Sequence, residues 1–229
     1  MLNICPGCGL YCVEKLIQPA ESAGWAVAVC PHCNHGHPFR QLPLLTLGGA
    51  SGTGKSTIAA ALAARLDQVV LLDTDILWRP EFDQPETQYR DFFETWLRLA
   101  KNIGQAGRPV LLVGAGVGVP HNLEPCQERR YLGPIHPLAL VCDDSRLAER
   151  LRSRPAWRHS DDAFVAGQQA FNRWFQEAAA VERLDTTHNS SAATANQVVD
   201  WIDRTLQRSF RPATTPPPEL PNSLWSPTR

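Results

Sequence analysis

Residues 49–56 read Gly-Ala-Ser-Gly-Thr-Gly-Lys-Ser, between an apolar run (PLLTL) and an alanine-rich run (TIAAALAA). They satisfy every fixed position of G-x-x-x-x-G-K-[ST], and no other stretch constrains the fold as much. Such a loop works only where a strand ends and a helix begins. There the backbone amides turn inward and the helix contributes its positive end, so several donors converge on one phosphate. Gly49, Ser51, Gly52, Thr53 and Gly54 are the expected loop contacts. Lys55 is expected to reach the β and γ phosphates, Ser56 to ligate Mg2+ through its hydroxyl, and Thr57 to add a further phosphate contact. No Asn-Lys-x-Asp segment for reading guanine occurs, which favours ATP over GTP.

The 229 residues, 43% hydrophobic with a formal charge of −1, suffice for one full core and a small appended module. Without a long basic block, a protein that coats nucleic acid is not expected. No apolar run approaches the roughly 20 residues of a membrane span. The N-terminus, MLNICPGCGL, lacks the sections of a signal peptide, so a cytoplasmic protein is expected. Five of the seven cysteines fall in the first 33 residues, which marks a boundary near residue 41. The expected organisation is a cysteine module over 1–41, a main domain over 42–210, and a disordered proline-rich tail over 211–229.

Within the main domain, strand-like apolar runs at 43–50, 68–75, 108–116, 136–144 and 182–187 alternate with helical stretches. The helical stretches are 55–66, 86–105, a short one near 122–131, 145–152, 161–180 and 192–209. Most of the strand runs are continuously apolar, as strands covered on both faces require. The expectation is a three-layer α/β domain on a five-stranded parallel sheet, with its active groups at the strand C-termini.

Asp73-Thr74-Asp75 closes the second of these runs, where an α/β sheet opens onto its phosphate site. Read as extended, the segment points both carboxylates the same way. Asp73 would then hold a magnesium-bound water and Asp75 would contact an acceptor hydroxyl, the alternative being a helix cap and a solvated acid. Further on, LAERLRSRPAWRHSDD brings Arg150, Arg152, Arg154 and Arg158 within nine residues. Guanidinium groups match the spread negative charge of phosphoryl transfer. Arg154 and Arg158 flank a Pro-Ala-Trp turn and are the expected lid residues; a surface role is the competing one. Arg150 and Arg152 are expected on a solvated helix face or paired with Glu149 or Asp144.

In this order the features resemble the small P-loop kinases, the group of shikimate, gluconate, adenylate and nucleoside or nucleotide kinases, over residues 44–209. The resemblance implies a substrate-orienting acid at Asp73 or Asp75, and a glycine-rich turn at the third strand, Gly114-Ala115-Gly116, with Gly116 facing the acceptor. It also implies a closing lid at 147–162 and a polar turn beside the base at LDTT, with Asp185 and Thr187 as contacts. Motor and switch readings lack support: no LSGGQ-like signature occurs, and the chain is too short for an AAA-type lid bundle.

The segment between the second and third strands carries Trp78, Tyr89, Phe92, Phe93 and Trp96. Stacking on a base and packing on the sheet both fit these rings, packing more so for Phe93 and Trp96. Trp78 and Arg79, just past Asp75, are the expected acceptor contacts, and the reading leans to a nucleoside over a nucleotide.

Cys5-x2-Cys8 and Cys30-x2-Cys33, each opening Cys-Pro, form two knuckles of a tetrahedral Zn2+ site and resemble a zinc ribbon. Cys12, His32, His35 and His37 are alternative ligands, and a redox role is the other reading of such pairs. The ribbon is expected to be structural, to dock a protein partner or to join two copies; with only Lys15, Arg40 and histidines for positive charge, nucleic acid ranks last.

The chain thus reads as an ATP-dependent phosphotransferase acting on a small molecule, with Lys55, Asp75, Arg154 and Arg158 as its catalytic groups. A nucleotide-sensing adaptor working through the ribbon is the alternative from another class, and an antibiotic or sugar-acid kinase the variant within the same class.

Overall fold

A computed structural model describes residues 2–158 and 160–209; the proline-rich tail lies outside the described residues. Two sheets organise the chain. The first is antiparallel, with β1 (Leu16–Pro19), β2 (Trp25–Val29) and β3 (Gly36–Arg40) in order. The second is parallel and five-stranded. Its strands are β4 (Leu44–Gly48), β5 (Val70–Asp73), β6 (Val110–Val113), β7 (Ile135–Val141) and β8 (Glu182–Asp185), in the spatial order β5-β6-β4-β7-β8.

The helices are α1 (Lys55–Leu62), α2 (Arg90–Gly104), α3 (Pro120–Leu123), α4 (Asp144–Arg152), α5 (Asp162–Glu177) and α6 (Ser191–Ser209). Side chains alternate across the central strand and so feed two cores. Leu45 and Leu47 pack with Ile58, Leu62, Val198 and Trp201 of α1 and α6. Leu44 packs with Phe92, Phe93 and Trp96 of α2 on the other face. β4 and β6 are buried at every residue, which explains their unbroken apolar runs, whereas the edge strand β8 is largely exposed.

The elements appear where the sequence places them, with shorter bounds. The expected helix over 86–105 starts only at Arg90, because Gln88 and Tyr89 adopt left-handed φ values of 55° and 56° after a separate 3-10 turn. The stretch at 122–131 is two pieces, α3 and a 3-10 turn over Gln127–Tyr131. Pro125 lies between them and cannot supply a helical N–H.

The cysteine module is braced on the main domain. Leu2, Ala26, Ala28 and Phe39 pack with Tyr131, and the Tyr131 hydroxyl donates to the carbonyl of Val13. Gln105, at the C-cap of α2, exchanges two hydrogen bonds of 2.9 Å with the backbone of Arg40. Lys15, expected as a surface charge, is 1% exposed and donates to the carbonyl of Leu2. Burial removes it from any contact with nucleic acid.

Candidate active site

The phosphate loop joins β4 to α1. Gly49 adopts a φ of 133°, and a Cβ there would lie 2.4 Å from the carbonyl oxygen of Leu140, so only glycine fits. The Thr53 hydroxyl donates to the carbonyl of Ala50 at 2.9 Å and closes the loop from inside. Lys55 Nζ donates to the carbonyls of Gly49 (2.7 Å) and Ala50 (2.9 Å), which places the ammonium at the loop's first residues. Burial pulls that ammonium down to about 8, against the opposing field of Asp75.

A cleft of about 550 Å³ opens over the loop. Its walls bring together residues 51–58 with Asp75 and Ala115 on one side and Arg150, Ser153, Arg154 and Arg158 on the other. Thr186, Asn189, Ser191 and Thr194 line its remaining wall. Residues that follow all five strands therefore meet at one end of the sheet, as the parallel topology dictates.

Asp73 and Asp75 do not form the extended pair expected from sequence. The strand ends at Asp73 and Thr74–Leu77 turns as a 3-10 helix, with Asp73 Oδ1 accepting from the Asp75 N–H at 3.0 Å. Asp73 is thus a cap, and Asp75 alone of the two lines the cleft. Between them the buried Thr74 hydroxyl donates to the carbonyl of Val113 at 3.1 Å. A Cβ on Gly114 would fall 1.9 Å from that hydroxyl oxygen, which accounts for this glycine. Partial desolvation, then the nearby Asp73, hold the Asp75 carboxyl above the ordinary carboxylate range, while Lys55 and Arg158 pull the other way.

The other expected acceptor contacts lie elsewhere. Trp78 is 46% exposed, and its ring meets Phe92 edge-on at 5.3 Å, outside the cleft wall. Arg79 lies 4.7 Å over the Phe82 ring and 3.8 Å from the Glu81 carboxylate. Gly116 packs under Phe93, whose ring a Cβ would meet at 2.9 Å, and its neighbour Ala115 faces the cleft instead.

The expected lid is the connection from α4 to α5, with a 3-10 turn over Ala156–Arg158. Arg154 Nη1 reaches the Ser51 hydroxyl at 3.2 Å, and Arg158 lies over the exposed Trp157 ring at 4.9 Å. Arg152 pairs with Asp162 at 2.9 Å, away from the loop. Arg150 is a correction to the sequence reading. Far from a solvated face, it crosses to the turn after β8, bonding the Thr186 hydroxyl at 3.1 Å and the Thr186 carbonyl at 2.6 Å. The Thr186 hydroxyl also lies 3.1 Å from the carbonyls of Thr53 and Val141, so one threonine ties loop, lid helix and sheet together.

Asp185 and Thr187, the expected base contacts, hold that turn's shape from outside the cleft wall. Asp185 Oδ1 accepts from the Thr187 N–H at 2.7 Å, and the Thr187 hydroxyl accepts from the Asp143 N–H at 2.9 Å. The spacing of Arg150 and Arg154, one helical turn apart, was the available signal for Arg150. Thr186, Asn189 and Ser191 carry no comparable signal in a polar turn.

At the other end, the Sγ atoms of Cys5, Cys8, Cys30 and Cys33 all lie within 4.8 Å of one another. Cys5 to Cys33 is 3.6 Å and Cys8 to Cys30 is 3.9 Å. A tetrahedral zinc with Zn–S bonds of about 2.3 Å sets its sulfurs roughly 3.8 Å apart, so the set fits that ion. The two knuckles repeat one design. In each, the residue after the second cysteine is left-handed (Gly9, φ 71°; Asn34, φ 58°) and its N–H returns to the carbonyl of the first cysteine. Cys12, His32, His35 and His37 stand outside the four-thiol cluster.

A family model described as an AAA domain matches residues 44–181. No curated protein matches the sequence. Among solved structures, a gluconokinase from Sinorhizobium meliloti 1021 superposes with a TM-score of 0.51 at 18% identity, covering 72% of this chain and 94% of its own. A sugar kinase from Janibacter sp. HTCC2649 gives 0.52 at 17% identity, over 71% and 95%. The tunicamycin resistance protein of Deinococcus radiodurans gives 0.51 at 18%, over 71% and 96%. At these identities the likeness is one of fold. After residue 181 the described residues add only β8 and α6, not the helical lid bundle of a motor.

Proposed function

The chain belongs to this family of AAA domains, and from that premise we propose that it transfers the γ-phosphate of ATP to a hydroxyl of a small molecule. One observation carries the reading: Lys55, Asp75, Arg154 and Arg158 converge on a single cleft from the loop, β5 and the lid. Loop amides and Lys55 hold the phosphates, and the lid arginines lie where charge builds during transfer. Asp75, with its raised affinity for a proton, orients the acceptor hydroxyl and accepts its proton as the new bond forms. Mg2+, for which the Ser56 hydroxyl in the cleft is a fitting ligand, would neutralise the phosphate oxygens when bound.

The acceptor is read as neutral and hydroxyl-bearing. Arg79 and Arg98, which an anionic acceptor would want, already face Glu81 and Glu128 at 3.8 Å and 2.8 Å. Phe92, Phe93 and Trp96 are buried in the core, which leaves the half-buried Tyr89 and the exposed Trp78 of that segment as rings a base could stack on. Sugar-type acceptors and hydroxylated antibiotics share the neutral hydroxyl and belong on the same panel. The adaptor reading draws on the exposed Ile4, Leu10, Tyr11 and Leu16 of the ribbon. It expects slow ATP turnover without any acceptor and indifference to Asp75→Asn.

The test supplies zinc-loaded protein with ATP and Mg2+ against nucleosides, sugars, sugar acids and antibiotics, with products identified by mass spectrometry. A phosphorylated acceptor that disappears in Asp75→Asn supports transfer with Asp75 in this role. A product that persists undiminished in that variant overturns the role, and silence across the panel favours the adaptor.

A further inference from the structure

α5 is held to the sheet by a ladder of side-chain amides. Asn172 exchanges hydrogen bonds with the Cys142 backbone, at 2.6 Å to its carbonyl and 3.2 Å from its N–H. Gln176 donates to the same carbonyl at 3.1 Å and Gln169 to the carbonyl of Asp144 at 3.0 Å. Ala50 of the phosphate loop packs in one cluster with Leu147, Leu151 and Val165, so the register of α5 against the loop is set.

Gln168 is one helical turn beyond Val165, on the side of α5 that meets the loop. Its Oε1 accepts from the Ser51 N–H at 2.7 Å. The hydroxyl of the same serine takes the Arg154 guanidinium at 3.2 Å. Lys55 Nζ, bonded to Gly49 and Ala50, occupies the adjoining part of the loop. Ser51 is therefore the residue at which loop lysine, lid arginine and α5 meet. The lysine of such a loop serves the β and γ phosphates, which puts this meeting point at the γ end of the nucleotide.

We propose that Gln168 is a positioning residue for the γ-phosphate, fixing Ser51 from behind so that the loop and the lid arginine present one rigid surface to the group being transferred. This inference rests on the nucleotide-binding reading of the loop and needs no particular acceptor. A flexible third residue would let Arg154 and the loop amides drift apart, and a donor constellation loses strength quickly when its members are not pre-set. Nothing in the loop motif requires a glutamine on α5; the geometry alone singles it out.

The experiment measures ATP and ADP dissociation constants by titration calorimetry, with Mg2+, for full-length zinc-loaded protein and its Gln168→Met and Gln168→Ala variants. Methionine keeps the length and bulk of the side chain but cannot accept the hydrogen bond. ATP affinity is expected to fall about tenfold in both variants while ADP affinity stays within about twofold, because ADP lacks the phosphate served by this corner. An unchanged ATP-to-ADP ratio in Gln168→Met would reduce the residue to packing and overturn the inference. Equal losses for both nucleotides would mean general loosening of the loop and overturn it too. Since the readout is binding, failure to find an acceptor leaves this result intact.

Discussion

Two clusters of charge, the seam under the ribbon and the cleft over the phosphate loop, are built from the same residue types and arranged oppositely. At the seam, Lys101 and Glu128 pair with side chains at 0% exposure, and Arg98 adds a second bond to Glu128 at 2.8 Å. Asn3 accepts from the same ammonium, which lies 4.2 Å over the Tyr131 ring. In the cleft, Lys55 bonds only to loop carbonyls, and among the described residues Lys55, Asp75 and Arg158 enter no ion pair. Charges that satisfy each other hold a structure together. Charges aimed at a common space and left unmatched are set for a partner from outside.

The comparison breaks most visibly if the metal is removed. Zinc held by the four thiols would contribute on the order of 10 kcal/mol apparent to the folding of so small a module. The ribbon also supplies the Leu2 side chain, Asn3, Val13 and the Arg40 backbone to the seam. Chelation should therefore unfold the ribbon and cost amide protection in α2 by hydrogen exchange, while α1 stays protected. Unchanged protection in α2 would show that the seam stands without the metal.

Glu128→Ala comes next. It leaves Lys101 buried without its carboxylate, a loss of about 3–5 kcal/mol in urea unfolding, and the double variant Lys101→Met/Glu128→Leu should regain most of it. ATP affinity of the folded fraction should stay within about twofold in either variant. Lys55→Ala should show the reverse pattern, with transfer down by about 10²-fold or more and no comparable loss in urea. If it unfolds the protein while sparing activity, cleft and seam do not differ as argued.

The same distinction explains what the sequence could disclose. The loop was legible because its function is written in backbone conformation, and glycine is the residue that permits it; Gly49 is required by its φ and by the Leu140 carbonyl together. The sheet was legible because strands buried on both faces leave continuous apolar runs. Four cysteines in two matched pairs were legible because zinc demands that donor set. Arg150 was misplaced because a helical arginine has enough reach to leave its own face, and its partner Thr186 is 36 residues away in sequence. Trp78 and Arg79 were placed by their nearness to a strand end, but the 3-10 turn at Thr74–Leu77 redirects the chain that follows Asp75. Gly116 was placed by the resemblance, and the close approach of the Phe93 ring makes it a packing position instead. Lys15 looked like free charge because sequence does not reveal that the ribbon folds down upon it.

The finest test of the comparison is a proton. Lys55 titrates near 8 in the folded chain, below its ordinary 10.5, chiefly because the loop buries it. Between those two pH values the unfolded chain binds the extra proton, so for this group stability increases as pH rises through the window; below it, the desolvated charge is a standing cost. A triphosphate reverses the preference, since only the ammonium can pair with it. ATP binding should therefore be insensitive to this group below about pH 8 and weaken above it, with a proton taken up on binding. At about pH 8.5 the triphosphate is fully ionised, and calorimetry in buffers of differing ionisation enthalpy should read an uptake of about three-quarters of a proton, absent in Lys55→Ala. The seam residues Arg98, Lys101 and Glu128 do not line the cleft, so Glu128→Gln should leave that uptake unchanged. An uptake of zero in the unaltered protein would mean that Lys55 stays charged without a ligand, and the contrast between the two clusters would shrink to one of burial.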